Sequence, residues 1–350
     1  MKNSRLGWSD EQVSRACLGS MTWGVQNNQR DADDQIEYAL SRGINFIDTA
    51  EMYPIPPTAE KYGDTERIIG DWLSRHRGQR ANIFLASKIA GNGLSWIRNK
   101  GNITGKDIIK SVDASLQRLH TDYIDLYQLH WPNRTSPHFA KHRPNFIRFT
   151  EIDRQLESDG MLEILQALNE CMVAGKIRYC GLSDDTCWGI SEYLKLSEKY
   201  DLPRMVSIQN EFNLLHNKDW PYLIELCVHD ELAYLPWSPL GGGILSAKYL
   251  NGARPESSRW SMSQRNGLFR DNELTQTAVA EYKRIAEQHE MTTAQLSLAW
   301  CNQVDGVTST IIGATTMDQL KENLDAFDIM LPEELLAQLN KVLNTYPAPF

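Results

Sequence analysis

The chain predicts an α/β protein folded as a single (β/α)8 TIM barrel over residues 1–350, with long loops on the C-terminal face. Three observations carry that expectation: eight short β-rich runs alternate with segments of helical periodicity, no low-complexity linker divides them, and the two longest connections both follow strands. A length of 350 residues would equally suit two ordinary domains, so the alternation decides.

In order, the strand candidates are ACLGS (16–20), INFIDTA (44–50), NIFLASK (82–88), YIDLYQLH (123–130), KIRYCGLS (176–183), RMVSIQ (204–209), LAYLPW (232–237) and STIIGA (309–314). Between them, DDQIEYALSR, DTERIIGDWLS, KDIIKSVDASLQRL, MLEILQALNECMVAG, SEYLKLSEKY, WPYLIELCVH, TAQLSLAWCNQ and MDQLKENLDAF place apolar residues at i, i+3, i+4, the stripe of a helix that buries one face. Thr104 and Thr316 suit N-caps, and Gly175 suits a helix end. Residues 131–160 and 238–275 break the rhythm as long β-to-α connections after the fourth and seventh strands. Loops of that length inside a compact domain are usually lids or binding loops.

Composition narrows the function. Hydrophobic residues at 41% and charged residues at 23% describe an ordinary globular chain. A net charge of −9 and a pI near 5.5 argue against a nucleic-acid partner, which needs clustered Lys and Arg. The N-terminal MKNSRLGWSDEQ has no signal-like apolar segment and no membrane-spanning run follows, so a cytoplasmic protein without a membrane partner is expected. Cys17, Cys171, Cys180, Cys187, Cys227 and Cys301 show no paired or zinc-like spacing, and His138, His142 and His216 supply none. Reduced structural thiols and no metal are the expectation.

Polar residues stand where buried strands should end: Asp48 and Tyr53 in INFIDTAEMY, Lys88 in NIFLASK and His130 in YIDLYQLH. In a closed barrel these positions meet at the C-terminal mouth. An acid, a phenol, an ammonium and an imidazole are the parts needed to protonate a carbonyl oxygen while a hydride arrives. Lys88 would lower the pKa of Tyr53, Asp48 would hold Lys88 charged, and His130 would hydrogen-bond the oxygen. Taken singly, Asp48 could be an N-cap, Tyr53 a tyrosine packed under Pro54 and Pro56, Lys88 an exposed strand end and His130 a structural histidine; jointly these explanations fail.

The motifs LGSMTWG (18–24), GINFIDTAEMY (43–53), ASK (86–88), DLYQLHWP (125–132), GKIRYCGLSD (175–184), SIQNEFNLL (207–215), WSPLGGGILSAKY (237–249) and IIGATTMDQLKENL (311–324) lie in one order along nearly the whole chain. With them the sequence closely resembles the aldo-keto reductases, and within these the bacterial Tas-like and related Kv-channel β-subunit branches. The resemblance implies NADP(H) lying across the barrel mouth and a catalytic tetrad at Asp48, Tyr53, Lys88 and His130. It places Ser183, Asp184 and Gln209 at the nicotinamide carboxamide, and Trp237 stacked on the ring. Gly19, Ser20, Met21 and Asp48 would line the nicotinamide side, and Ser238, Pro239, Leu240, Gly241, Gly242, Lys248 and, more loosely, Arg259 the pyrophosphate. Ile312, Gly313, Thr315, Gln319, Glu322 and Asn323 would form the adenosine end, near a helix N-terminus that favours phosphate.

The chain has no G-x-G-x-x-G fingerprint, as expected where phosphates are not held in the Rossmann manner, and GGG at 241–243 offers permissive backbone instead. It departs from many relatives in having Asp184 for asparagine, Gly313 for a basic residue and Gln319 for arginine. Trp23, Tyr53, Trp96 and Trp131 are expected to form an aromatic pocket for an aldehyde or small ketone substrate. The leading expectation is therefore NADPH-dependent carbonyl reduction. Its rival is an NADP(H)-bound regulatory or interaction subunit, and a Schiff-base enzyme using Lys88 is a third reading that leaves Tyr53 and Trp237 unexplained. A homo-oligomer is left open.

Overall fold

The computed structural model describes residues 1–137, 144–262 and 269–349. A short antiparallel hairpin, β1 (Asn3–Arg5) and β2 (Gln12–Ser14), precedes the barrel. The eight parallel strands follow: β3 (Ala16–Gly19), β4 (Phe46–Asp48), β5 (Phe84–Ile89), β6 (Ile124–Leu129), β7 (Ile177–Ser183), β8 (Ser207–Gln209), β9 (Ala233–Tyr234) and β10 (Thr310–Ile312). The order β10-β3-β4-β5-β6-β7-β8-β9 leaves β9 and β10 to meet. They do so through a parallel bridge from Tyr234 to Val307, and through bonds from Thr308 N–H to the Tyr234 carbonyl (2.9 Å) and Ile311 N–H to the Pro236 carbonyl (2.8 Å).

All eight strand candidates are present, shortened where the curled sheet stops pairing; LAYLPW keeps only two residues as strand. Around them lie α1 (Gln29–Ser41), α2 (Asp64–Arg75), α3 (Gly105–Leu119), α4 (Arg154–Val173), α5 (Cys187–Tyr200), α6 (Tyr222–His229), α7 (Glu273–Gln288), α8 (Thr293–Gln303), α9 (Met317–Asp325) and α10 (Glu333–Thr345). Thr104 caps α3 in a reciprocal capping box, Thr316 accepts from Gln319 N–H at the start of α9, and Gly175 follows α4 at φ +72°.

The hairpin, α7 and α10 are elements beyond those expected from sequence, and α4 begins at Arg154, so its first turns fall inside the stretch expected to be loop. Residues 154–156 are exposed and carry no apolar stripe, while the helix start is fixed by Asp153, whose side chain accepts from Gln155 and Leu156 N–H. His138 and His142 lie outside the described residues.

Side-chain alternation explains the layers. Phe46, Phe84, Ala86 and Leu126 point into the barrel with Leu6 and Val13 of the hairpin region, which closes its N-terminal end. Their neighbours Ile47, Leu85, Ile89, Tyr127 and Leu129 pack outward with the helices. Continuing the inward set toward the C-terminal ends gives Asp48, Lys88, Gln128, Ser183 and Gln209, with Lys88 beside Gln128 and Ser183 beside Gln209 in register. The barrel is thus apolar at one end and polar at the other. Among the described residues, no helix is long and apolar enough to cross a membrane, and no cluster of side chains suits a metal ion.

Candidate active site

Asp48 and Lys88, on adjacent strands, form the buried centre of the polar end. The Lys88 Nζ donates to Asp48 Oδ2 at 2.5 Å and to the Thr49 carbonyl at 2.8 Å, and Lys88 is wholly excluded from solvent. The other Asp48 oxygen accepts from Gln209 Nε2 at 2.9 Å and Gln128 Nε2 at 3.4 Å. The carboxylate is therefore held on both oxygens, which fixes the ammonium that it orients. Burial is the largest influence and works against the Lys88 charge, but Asp48, with Tyr53 and Cys17 adding to it, brings the pKa above the ordinary lysine value.

Tyr53 and His130 stand in front of this pair. Lys88 Nζ is 5.1 Å from the Tyr53 ring centroid, and the Tyr53 and His130 rings meet edge to face at 5.5 Å. The main chain of His130 is tied to β5 by its N–H on the Ile89 carbonyl (2.9 Å). Burial raises the Tyr53 pKa above the ordinary phenol value despite the opposing pull of Lys88, so the lowering expected from sequence is reversed. Burial, with Lys88 nearby, pushes His130 well below the usual imidazole range, so the ring is neutral at physiological pH.

These residues open on a cavity of about 1320 Å³, whose wall brings together distant parts of the chain. Gly19, Ser20, Met21, Asp48, Tyr53, His130 and Trp131 line it on one side, with Ser183, Asp184, Gln209 and Trp237 across from them in the sheet. Ser238, Pro239, Leu240, Gly242, Lys248 and Arg259 line it from the long connection after β9, and Ile312, Gly313, Thr315, Gln319, Glu322 and Asn323 from β10 and α9. Gly241 does not reach the wall, and Lys88 lies behind it. Trp23 is a correction: it is fully buried, with its indole N–H on Gln35 Oε1 at 3.0 Å, and fills the helix-side core. Trp96 also stays off the wall, in a satellite apolar cluster beside Tyr62.

The local backbone suits a phosphate-bearing ligand. Gly241, Gly242 and Gly243 have φ of +56°, +72° and +99°, a run that side chains with a Cβ would strain. Lys248 lies against Gly243, and Arg259 approaches the Met21 sulfur at 3.9 Å without a carboxylate partner among the described residues. At the far end, Gln319 Oε1 accepts from Thr315 N–H and Oγ1, and Asn323 Nδ2 donates to the Gly313 carbonyl. A cavity above the ordinary volume of one small-ligand site, with Lys248 and Arg259 among its cations and a glycine-built wall, fits a dinucleotide together with a substrate.

Asp184 sits at the end of β7 in the left-handed region (φ +51°), accepting from the Trp237 indole N–H at 3.2 Å. Burial raises its carboxyl well above the usual range, and Glu211 and Asp219 add to the effect. Asp219 itself is half-buried, and desolvation pushes it up to about 6 against the opposing hydrogen bonds from Tyr234 and Asn210. Sequence reading missed Gln128, which the alternation two residues before His130 would have revealed. It also missed Glu51, which is fully buried and bonds Tyr62 Oη (2.7 Å), Ala90 N–H (2.7 Å) and Arg98 (2.9 Å) behind Tyr53.

Residues 15–344 match the model of the Aldo/keto reductase family. The chain is 42% identical to "Protein tas" of Escherichia coli (strain K12) over the full length of both. It is 29% identical to "Uncharacterized oxidoreductase YrpG" of Bacillus subtilis (strain 168), covering 100% of this chain and 97% of that protein. It is 28% identical to "Probable voltage-gated potassium channel subunit beta" of Arabidopsis thaliana, covering 99% of this chain and 98% of that protein.

Proposed function

Since this chain belongs to the aldo/keto reductase family, we propose that it is a cytoplasmic NADPH-dependent reductase of aldehydes or ketones, with Tyr53 as proton donor. The observation that carries the reading is the meeting of Asp48, Tyr53 and His130 at the wall of a dinucleotide-sized cavity, with Lys88 directly behind them on Asp48. When bound, the reduced nicotinamide supplies the hydride to the carbonyl carbon.

This chain's residues would do the rest. Trp237 offers a half-buried ring for the nicotinamide to lie against, and Ser183, Asp184 and Gln209 offer polar groups at its carboxamide. Lys248 and Arg259 would meet the pyrophosphate, with Gly242 allowing close approach, and Thr315, Gln319, Glu322 and Asn323 the adenosine end.

Tyr53 gives its hydroxyl proton to the carbonyl oxygen, and the phenolate so formed is stabilised by the Lys88 ammonium. His130 is neutral, and its Nδ1 is buried without a hydrogen-bond partner among the described residues. A proton on Nε2 avoids burying an unbonded N–H and leaves a donor for the carbonyl oxygen.

The resemblance to a channel β-subunit favours a second reading, an NADP(H)-bound regulatory subunit with little or no turnover. One experiment separates the two: titration with NADPH and NADH, then addition of aldehydes while the absorbance of the reduced nicotinamide is followed. Binding with turnover upholds the reductase; binding without turnover on any carbonyl upholds the subunit. In the first case Tyr53→Phe should lower kcat by about 10²–10⁴-fold and leave NADPH affinity near wild type. Equal loss of both would remove Tyr53 from the chemistry.

A further inference from the structure

The wall beside Tyr53 and His130 includes Trp131, whose indole is only half-buried and whose Nε1–H donates to the Asn92 carbonyl at 3.1 Å. That bond holds the ring against the backbone that leaves β5. The contact is close because residue 91 is glycine. A Cβ there would stand under 3.0 Å from three indole atoms, Nε1, Cδ1 and Cε2.

The backbone at this point cannot retreat to make room. The Ala90 N–H donates to Glu51 Oε1 at 2.7 Å, and its carbonyl accepts from Arg98, which also reaches Glu51 at 2.9 Å. One residue earlier, the Ile89 carbonyl accepts the His130 N–H at 2.9 Å. Glu51 is itself fully buried and bonded by Tyr62. A side chain at 91 would therefore move the indole and not the main chain, breaking the bond to Asn92. Trp131 also lines the cavity, together with Met52, Tyr53 and His130.

We propose that Gly91 sets the width of the carbonyl pocket by giving the Trp131 indole a bare α-carbon to lie against. The inference rests on the reductase reading in taking this part of the cavity as the substrate's. Gly91 is a specificity-determining residue that acts through Trp131 and does not touch the reacting atoms. Its effect should scale with the bulk of the substrate, because a small aldehyde reaches Tyr53 and His130 past a displaced ring and a bicyclic one does not.

The test is calorimetric titration of the full-length protein saturated with NADP+, so that no reduction occurs, using acetaldehyde and 2-naphthaldehyde. Gly91→Ala should raise the Kd for 2-naphthaldehyde about tenfold or more, the scale of a methyl group forced into a packed site. Acetaldehyde and NADP+ should change by less than about twofold. In a Trp131→Ala background, Gly91→Ala should have no effect on either aldehyde, since the clash is gone; this pair also serves if the single variant does not fold. Equal weakening of both aldehydes, or a Gly91→Ala effect that persists without Trp131, would overturn the proposal. The size-dependent pattern without turnover in the NADPH-loaded protein upholds the pocket assignment and overturns the reductase reading. Failure of the wild type to bind either aldehyde overturns the pocket assignment itself.

Discussion

Lys88 can be an ammonium inside the barrel only because Asp48 lies 2.5 Å away. Breaking a buried pair leaves one charge uncompensated, so Lys88→Met should cost about 3–5 kcal/mol of stability in denaturant unfolding, on top of the loss of turnover. Removing both charges with Asp48→Asn/Lys88→Met should recover most of that stability and none of the activity; a double variant as unstable as the single would show that the pair is not the main term. Sequence made this partnership legible because both residues end apolar strands. It did not reveal which way the Tyr53 pKa moves, because the balance between burial and the Lys88 charge depends on enclosure. With Tyr53 raised above its ordinary value of 10.0 and His130 depressed below 6.5, the phenol stays protonated and the imidazole neutral through neutral pH. Reductive kcat should therefore be flat from about pH 7 to 9, falling only on the alkaline side as Tyr53 ionises. A fall centred inside that window at saturating NADPH would mean that Lys88 dominates after all.

At the scale of elements, the end of β7 carries the departure at Asp184. Its folded-state pKa lies well above 3.8, so the folded protein keeps a proton that the unfolded chain releases. The contribution is complete below the unfolded value and is lost as pH rises toward the folded one. Asparagine cannot ionise and tolerates the same left-handed backbone, so Asp184→Asn should match wild-type Tm near pH 4 and exceed it by a few degrees near about pH 8. A difference in Tm that does not change with pH would show that the carboxyl is not held neutral. Elements were legible where burial imposed a period, as in α3 with Ile108, Val112 and Leu119 inward. The start of α4 escaped because its first residues are solvated and only Asp153 marks it. The apolar residues Leu335, Leu339 and Val342 of α10 carry the same helical spacing, so that helix too is legible in the sequence.

Across the whole molecule, closure of the barrel turns eight local strand ends into one site, and alternation explains why the convergence was legible before any distance was known. Trp23 escaped because an aromatic near a strand end reads alike whether it faces the mouth or the helices; its full burial in the helix-side core and its hydrogen bond to Gln35 distinguish them. Charge poses a larger question, since a protein of net charge −9 is proposed to take up a polyanionic dinucleotide. The overall field opposes that approach, so local cations must overcome it, and Lys248 and Arg259 stand on the cavity wall. Arg259 has no carboxylate partner among the described residues, and burial lowers its pKa, so its charge is poorly satisfied without an anion. Arg259→Ala should then weaken NADPH and NADH alike by about ten- to a hundredfold, the value of a charge-assisted hydrogen bond to a phosphate that both share. It should also flatten the loss of affinity with added salt, because one fewer charge is being screened. If the variant weakens NADPH alone, Arg259 serves the 2′-phosphate, and the adenosine end built around Gln319 has recovered there the cation it lacks in its own sequence.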